Sequence, residues 1–479
     1  MKRLPIILTI FIICMTLVLT PATMAHAGIL PEKQVTIRDE NEMGRKFDKL
    51  IRLQMPMVGD TLITDYIEGL VQRIVAAKRP MPFHVKSAVI ANSALNAFAT
   101  PGGFIYVFTG LIQAVENESQ LAGVIAHELG HVSQRHMASR IEKQGKVGML
   151  TIAGVLAGAF LGIAGGSGSG KAAQAIILGS QGMGTAAMLQ YSQEDENEAD
   201  HVGMNSLVKA GFNPEGMPQT FELMLKNRWF TSSSSEMPAY LSTHPGLAER
   251  IDYLNGRIKR MPESFLDRKD DNTTLVKVQA LVRSKMSPET TALAYYQNIA
   301  PSKYTALDYM ALGNVQARLK NMDQAAVAFS KALAMEHQDP LIAREAGIFY
   351  FKADRKAEAF RYLQLAVIKN KHDALALFYL ARMQAEADQY DRAASNMRKV
   401  LELVPEDPEV HHHLGMILGE SGDAFSGNLH LAYAAIYSGD IAKGRYHAKQ
   451  AKTEAKTDAQ EQQLKDLESV INERTKKDN

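Results

Sequence analysis

With 479 residues, 46% apolar and 22% charged, the chain has the balance of a folded protein of two or three domains, not of a disordered one. Its formal net charge is +1 and no lysine–arginine block alternates with aromatics, which argues against nucleic-acid binding. The one cysteine, Cys14, falls in an N-terminal leader; without it, thiol catalysis is excluded and His, Asp and Glu are the only metal ligands.

That leader is the first predicted element. Lys2 and Arg3 precede an apolar run from Ile6 to Leu19, and Ala25-His26-Ala27 places small residues where a signal peptidase reads them. Cleavage is expected after Ala27, with export of the mature chain. The remainder then holds 51 basic and 52 acidic residues and no disulfide, so its stability must come from packing and ligands. Helical patterns follow at Glu40 to Gln54 and Asp60 to Ala77, the second stopped by Pro80 and Pro82. Phe83 to Ile90 and Gly103 to Phe108 read as strands, and Leu111 to Glu142 returns to helical periodicity. A charge-free stretch at 147–166, an acidic helix around Glu196 and a Ser-rich loop at 231–235 come next.

From about residue 271 the composition turns Ala-rich and repetitive. Gly313, Gly347, Ala381 and Gly415 lie 34 residues apart, with Ala325, Ala359 and Ala393, then Ala332, Ala366 and Val400, at fixed offsets. Small residues at a 34-residue period are what tetratricopeptide helix pairs need, because two helices pack closely only where side chains are small. Pro340 and Pro408 fall between pairs. The phase reads as slipping after Gly415, giving three clear repeats flanked by degenerate pairs.

The strongest chemical signal is His127-Glu128-Leu129-Gly130-His131. Side chains at i and i+4 share a helix face, so His127 and His131 can grip one zinc ion while Glu128 takes a proton from the attacking water. A catalytic zinc keeps three protein ligands. An extension with Gly and His three and six residues beyond the second histidine fails, since Gln134 and Met137 stand there; His136 misses by one residue and reads as a surface histidine. In Glu194 to Asp200, Glu196 and Asp200 stand four apart. Glu196 can bind the metal while Asp200 accepts the second ring N–H of a ligand histidine, although a solvated acidic face gives the same pattern.

These motifs, with Asn96-Ala97-Phe98-Ala99-Thr100-Pro101-Gly102-Gly103 and Ser242-Thr243-His244-Pro245 followed by Arg250, resemble family 48 of the metallopeptidases. The leader and repeat tail resemble a periplasmic branch of that family in Gram-negative bacteria that supports outer-membrane β-barrel assembly. The resemblance implies zinc on His127, His131 and Glu196, with Glu128 as general base and Asp200 as a second-shell acid. It also makes His244 a histidine that closes the open zinc position and holds the enzyme latent, and tips Asn96, Ala97, Phe98 and Ala99 from an internal hairpin toward a substrate-binding edge strand.

The expected fold is an α+β thermolysin-like zinc domain at 28–270, then an all-α tetratricopeptide superhelix at 271–479. The expected function is a zinc endopeptidase acting on misfolded or stalled outer-membrane proteins, with the tail contacting the barrel-assembly machinery. A periplasmic chaperone or scaffold is the rival reading. The 147–166 stretch could span a bilayer at ~1.5 Å per residue. One span there would put His131 and Glu196 on opposite sides, so a hydrophobic hairpin that lids the site or touches a membrane surface is expected. Gly165 to Lys171 imitates a phosphate loop but has Ala172 where Ser or Thr is needed. His411-His412-His413 points three ways on a helix and is not expected to bind metal.

Overall fold

The computed structural model describes residues 34–78, 80–143, 191–230, 240 and 243–475. The expected leader, the 147–166 stretch, the phosphate-loop lookalike and the Ser-rich loop lie outside them.

The first helix, Ile37–Gln54, starts at a capping box in which Thr36 and Asp39 satisfy each other's backbone N–H groups. It leads to the helix Thr61–Lys78 and a three-stranded sheet: β1 (Lys86–Ile90), β2 (Ala97–Thr100) and β3 (Phe104–Phe108), in the order β1-β3-β2. β1 runs parallel to β3, pairing Lys86 with Phe104 and Ile90 with Phe108. β2 runs antiparallel to β3, pairing Ala97 with Val107 and Thr100 with Phe104. β2 is thus both an arm of a hairpin and an edge strand. The turn between them needs its glycines: Gly102 and Gly103 have φ of 78° and 86°, and a Cβ on Gly103 would meet the Phe83 side chain at 2.9 Å.

The region of helical periodicity from Leu111 to Glu142 is divided into three helices, Thr109–Ala114, Glu118–Gln134 and His136–Lys143. Asn117 caps the second through the Gln120 N–H, and Arg135 ends it in the left-handed conformation at φ 57°. The helices Gln193–Lys209, Gly216–Phe230 and Leu247–Ile258 pack around the Glu118–Gln134 helix and one another.

Beyond Thr273–Met286 and Glu289–Gln297 come five antiparallel helix pairs. First helices begin at 306, 340, 374, 408 and 441, and second helices at 322, 356, 390, 424 and 458. The phase slip expected after Gly415 does not occur in the fourth pair. Gly427 follows Ala393 by 34 residues, and its Cβ position lies 3.0 Å from the Gly419 backbone nitrogen, so glycine takes over the contact alanine makes earlier. Only the fifth pair opens one residue early. Each first helix begins on an aspartate or threonine cap where the chain must restart after a short turn, as Asp339, Asp373 and Asp407 do. One apolar core runs from Val58 and Ile63 through Leu121 and Leu207 to Leu281, Phe329, Phe349 and Met383, crossing from the sheet region into the helix pairs without a break. Among the described residues no helix is long and apolar enough to cross a membrane.

Candidate metal centre

The Glu118–Gln134 helix is buried along nearly its whole length, as the apolar run Leu121 to Ile125 requires. It crosses the Gln193–Lys209 helix at two glycines. A Cβ on Gly130 would lie 2.6 Å from the Ala199 carbonyl oxygen, and one on Gly203 would lie 2.8 Å from the Ala126 carbonyl oxygen. This backbone approach brings Glu196 up to the two histidines.

His127, His131, Glu196 and His244 are all buried, and one donor atom from each lies within 4.8 Å of the others. The Nε2 atoms of His127 and His131 are 3.0 Å apart, and Glu196 oxygens lie 3.5 Å from the first and 3.4 Å from the second. Tetrahedral zinc with bonds of ~2.0–2.1 Å separates its ligand atoms by about 3.3 Å, so the set has the right span. Its chemistry fits too. Nδ1 of His127 lies 2.9 Å from Asp200 Oδ1, a carboxylate oxygen that accepts, so this Nδ1 carries the proton and Nε2 turns its lone pair toward the cluster; Nδ1 of His131 lies 2.8 Å from Nδ1 of His136.

Surrounding charges set the protonation states. Burial pushes the Glu128 carboxyl above the usual range, against the pull of His244 and His127. Burial would also raise Glu196, but His244 and Arg250 outweigh it and hold this carboxyl well below its ordinary value. For Asp200 the same contest is won by hydrogen bonds from Arg250, 2.7 and 2.8 Å long. Burial keeps His131 well below the usual histidine range, the neutral form a ligand needs. Glu128 Oε2 accepts the Ala99 N–H at 3.0 Å. Asn96 accepts instead from Phe108, so along β2 alternate backbone groups face β3 and the metal helix. A small hollow of about 10 Å³, the size of one water, lies at the end of β2, lined by Ala99, Thr100, His131, Arg135 and Tyr191 among others.

The structure brings together His127, Glu128, His131, Glu196, Asp200 and His244, and sets the edge strand Asn96 to Ala99 beside them. It corrects His136, which is 3% exposed rather than a surface residue and sits against His131. Tyr191 stacks on His131 with centroids 3.9 Å apart, and Tyr240 on His244 at 4.3 Å; neither carried a sequence signal. His411 pairs with His430 at 3.0 Å inside the helix pairs, and the His tract forms no ligand group among the described residues.

A helix-borne His-Glu-x-x-His thus faces a glutamate from a second buried helix beside the edge strand of a small sheet, an arrangement able to hold a zinc ion next to a general base. Comparison with known proteins points the same way: residues 62–258 match Peptidase family M48. It is similar to the Beta-barrel assembly-enhancing protease of Escherichia coli (strain K12), 33% identical over 251 residues, 52% of this chain and 50% of that one. The aligned part therefore spans about half the length of that relative. The protein of the same name from Yersinia pestis is 27% identical over 390 residues, 78% of this chain and 76% of that one. Among solved structures, the tetratricopeptide protein YrrB aligns with 36% of this chain and 91% of its own, at 23% identity and TM-score 0.30.

Proposed function

We propose that this protein is a periplasmic zinc endopeptidase that cleaves misfolded or stalled outer-membrane proteins, with its helix pairs recruiting substrates or the barrel-assembly machinery. The observation that carries the peptidase reading is the buried convergence of His127, His131 and Glu196 with Glu128 beside them. His127, His131 and Glu196 would hold the metal, and Asp200, itself clamped by Arg250, orients His127. A zinc ion there supplies Lewis acidity toward a water and a peptide carbonyl. Glu128, with its carboxyl raised by burial, takes the proton from the attacking water and passes one to the leaving amine nitrogen.

The edge position of β2 supports a sequence-tolerant mode of substrate binding, in which an extended peptide adds as a strand once the Ala99 N–H is released from Glu128. The names of the relatives and the stacked helix pairs support the barrel-assembly role and a chaperone-like contribution of the tail. The leader supports export, and the charge-free 147–166 stretch supports a peripheral membrane contact.

The test is zinc analysis joined to a Glu128→Gln variant assayed on misfolded outer-membrane β-barrel proteins. The purified protein is expected to hold one zinc per chain. The variant is expected to keep that zinc and lose cleavage by ~10²–10⁴-fold, the scale of a lost general base. A Glu128→Gln protein that cleaves at the full rate, or a wild-type protein without zinc, removes the reading.

A further inference from the structure

A histidine that binds metal through one ring nitrogen must carry its proton on the other, and needs an acceptor there to fix the ring. For His127 the acceptor is the Asp200 carboxylate. For His131 it is not a carboxylate. Its Nε2 faces the donor cluster, so its Nδ1 bears the proton, and that atom lies 2.8 Å from Nδ1 of His136. Accepting there obliges His136 to carry its own proton on Nε2, which lies 3.1 Å from Glu198 Oε2. Donors and acceptors then alternate without conflict from His131 through His136 to Glu198.

We infer that His136 is the positioning residue for His131, fixing its tautomer and ring plane, with Glu198 as the anchor at the far end. The inference rests on the metal centre proposed above. Three further observations agree with it. His136 is almost fully buried, so its nitrogens answer to these two partners and not to solvent. Tyr191 lies flat against His131, 21° from parallel, and leaves the ring only in-plane freedom, which the His136 bond removes. Glu198 Oε1 accepts from Gln134 at 2.9 Å, which ties the anchor to the last turn of the metal helix. The left-handed turn at Arg135 makes the contact possible. Five residues along an unbroken helix, His136 would point about 140° away from His131; the turn swings it back.

The test measures zinc affinity of the full chain by chelator competition, alongside melting of the metal-free protein. His136→Phe keeps a ring but offers no acceptor, and is expected to weaken zinc binding by ~10–100-fold. His136→Asn places an amide oxygen near the lost Nδ1 and is expected to recover most of that affinity, a rescue that mere core filling would not give. Glu198→Ala changes a half-exposed side chain, and is expected to weaken zinc binding in the same direction by a smaller factor. Wild-type zinc affinity in His136→Phe, or in Glu198→Ala if the Phe variant does not fold, overturns the relay. Affinity no better in His136→Asn than in a folded His136→Phe overturns it as well. His131→Ala separates the two claims: if it holds zinc as tightly as wild type, the metal centre itself is wrong.

Discussion

His244 brings Nδ1 to 2.9 Å from Glu196 Oε1 and 3.3 Å from His127 Nε2, inside the donor cluster and not beside it. A ring nitrogen there that turned its lone pair to a metal would take the coordination position that water needs, and Nε2 lies 3.6 Å from Glu128 Oε1, beside the proposed general base. The two contacts favour a latch. His244→Ala is therefore expected to raise proteolysis and self-cleavage severalfold at unchanged zinc content. An oxyanion donor at this position would give the opposite sign, a loss of ~10²–10³-fold, and that result would sink the latch. At this scale the sequence was legible wherever a role depends on helical spacing: His127 with His131, and Glu196 with Asp200, are i and i+4 pairs. It was illegible for His136, Tyr191 and Tyr240. Their roles come from a left-handed turn at an arginine and from ring stacking between distant segments, and no local pattern encodes either.

Among the elements, the crossing of the Glu118–Gln134 and Gln193–Lys209 helices decides whether a third ligand reaches the histidines. Gly130 and Gly203 allow it by leaving no Cβ between the backbones. Gly130→Ala must move the Ala199 carbonyl, which is backbone and cannot rotate away, at a cost of about 1–3 kcal/mol. Glu196 then retreats from the pair, and zinc affinity is expected to fall by at least roughly tenfold, the scale of a disturbed ligand orientation. Chelator competition measures it; Gly256→Ala, on an open helix surface, is the control expected to change nothing. Unchanged affinity in Gly130→Ala would mean that the crossing has slack. Helices and the 34-residue repeat were legible because burial imposes a period on them. The breaks at Val115 and Arg135 were not, because the apolar period continues across both. The phase of the fourth helix pair was misread because glycine at 427 replaces the expected alanine while meeting the same steric demand.

At the scale of the whole molecule, the sheet region and the helix pairs are held by a buried charge cluster as well as by the shared core. Arg344, fully buried on the second repeat pair, clasps both oxygens of Asp60 at 3.1 and 2.8 Å and reaches Glu345 and Asp373. Asp60 receives the N–H of Leu62 at the start of the helix Thr61–Lys78, and Asp373 caps a repeat helix, so one guanidinium joins two helix starts from different parts of the chain. Lys285 adds a second cation, 3.1 Å from Glu345. Arg344→Met leaves three buried carboxylates with only that lysine, and should cost about 3–5 kcal/mol near neutral pH. The sign of its pH dependence is fixed by the same charges. Burial would raise Glu345, but Lys285 and Arg344 outweigh it and hold the carboxyl at about 2. Its contribution is therefore complete above the unfolded value of about 4.3 and is lost as pH falls from there toward about 2. Asp373 is raised by burial despite Arg344, so it opposes this trend in part. Without the arginine Glu345 and Asp373 shift upward, and protonating them relieves the strain instead of breaking a pair. The stability gap between Arg344→Met and wild type, read from urea unfolding at matched pH, should narrow steadily from about pH 7 to about pH 4. A gap that stays constant would mean that Arg344 acts through packing alone, and that the charges do not join the two parts of the chain.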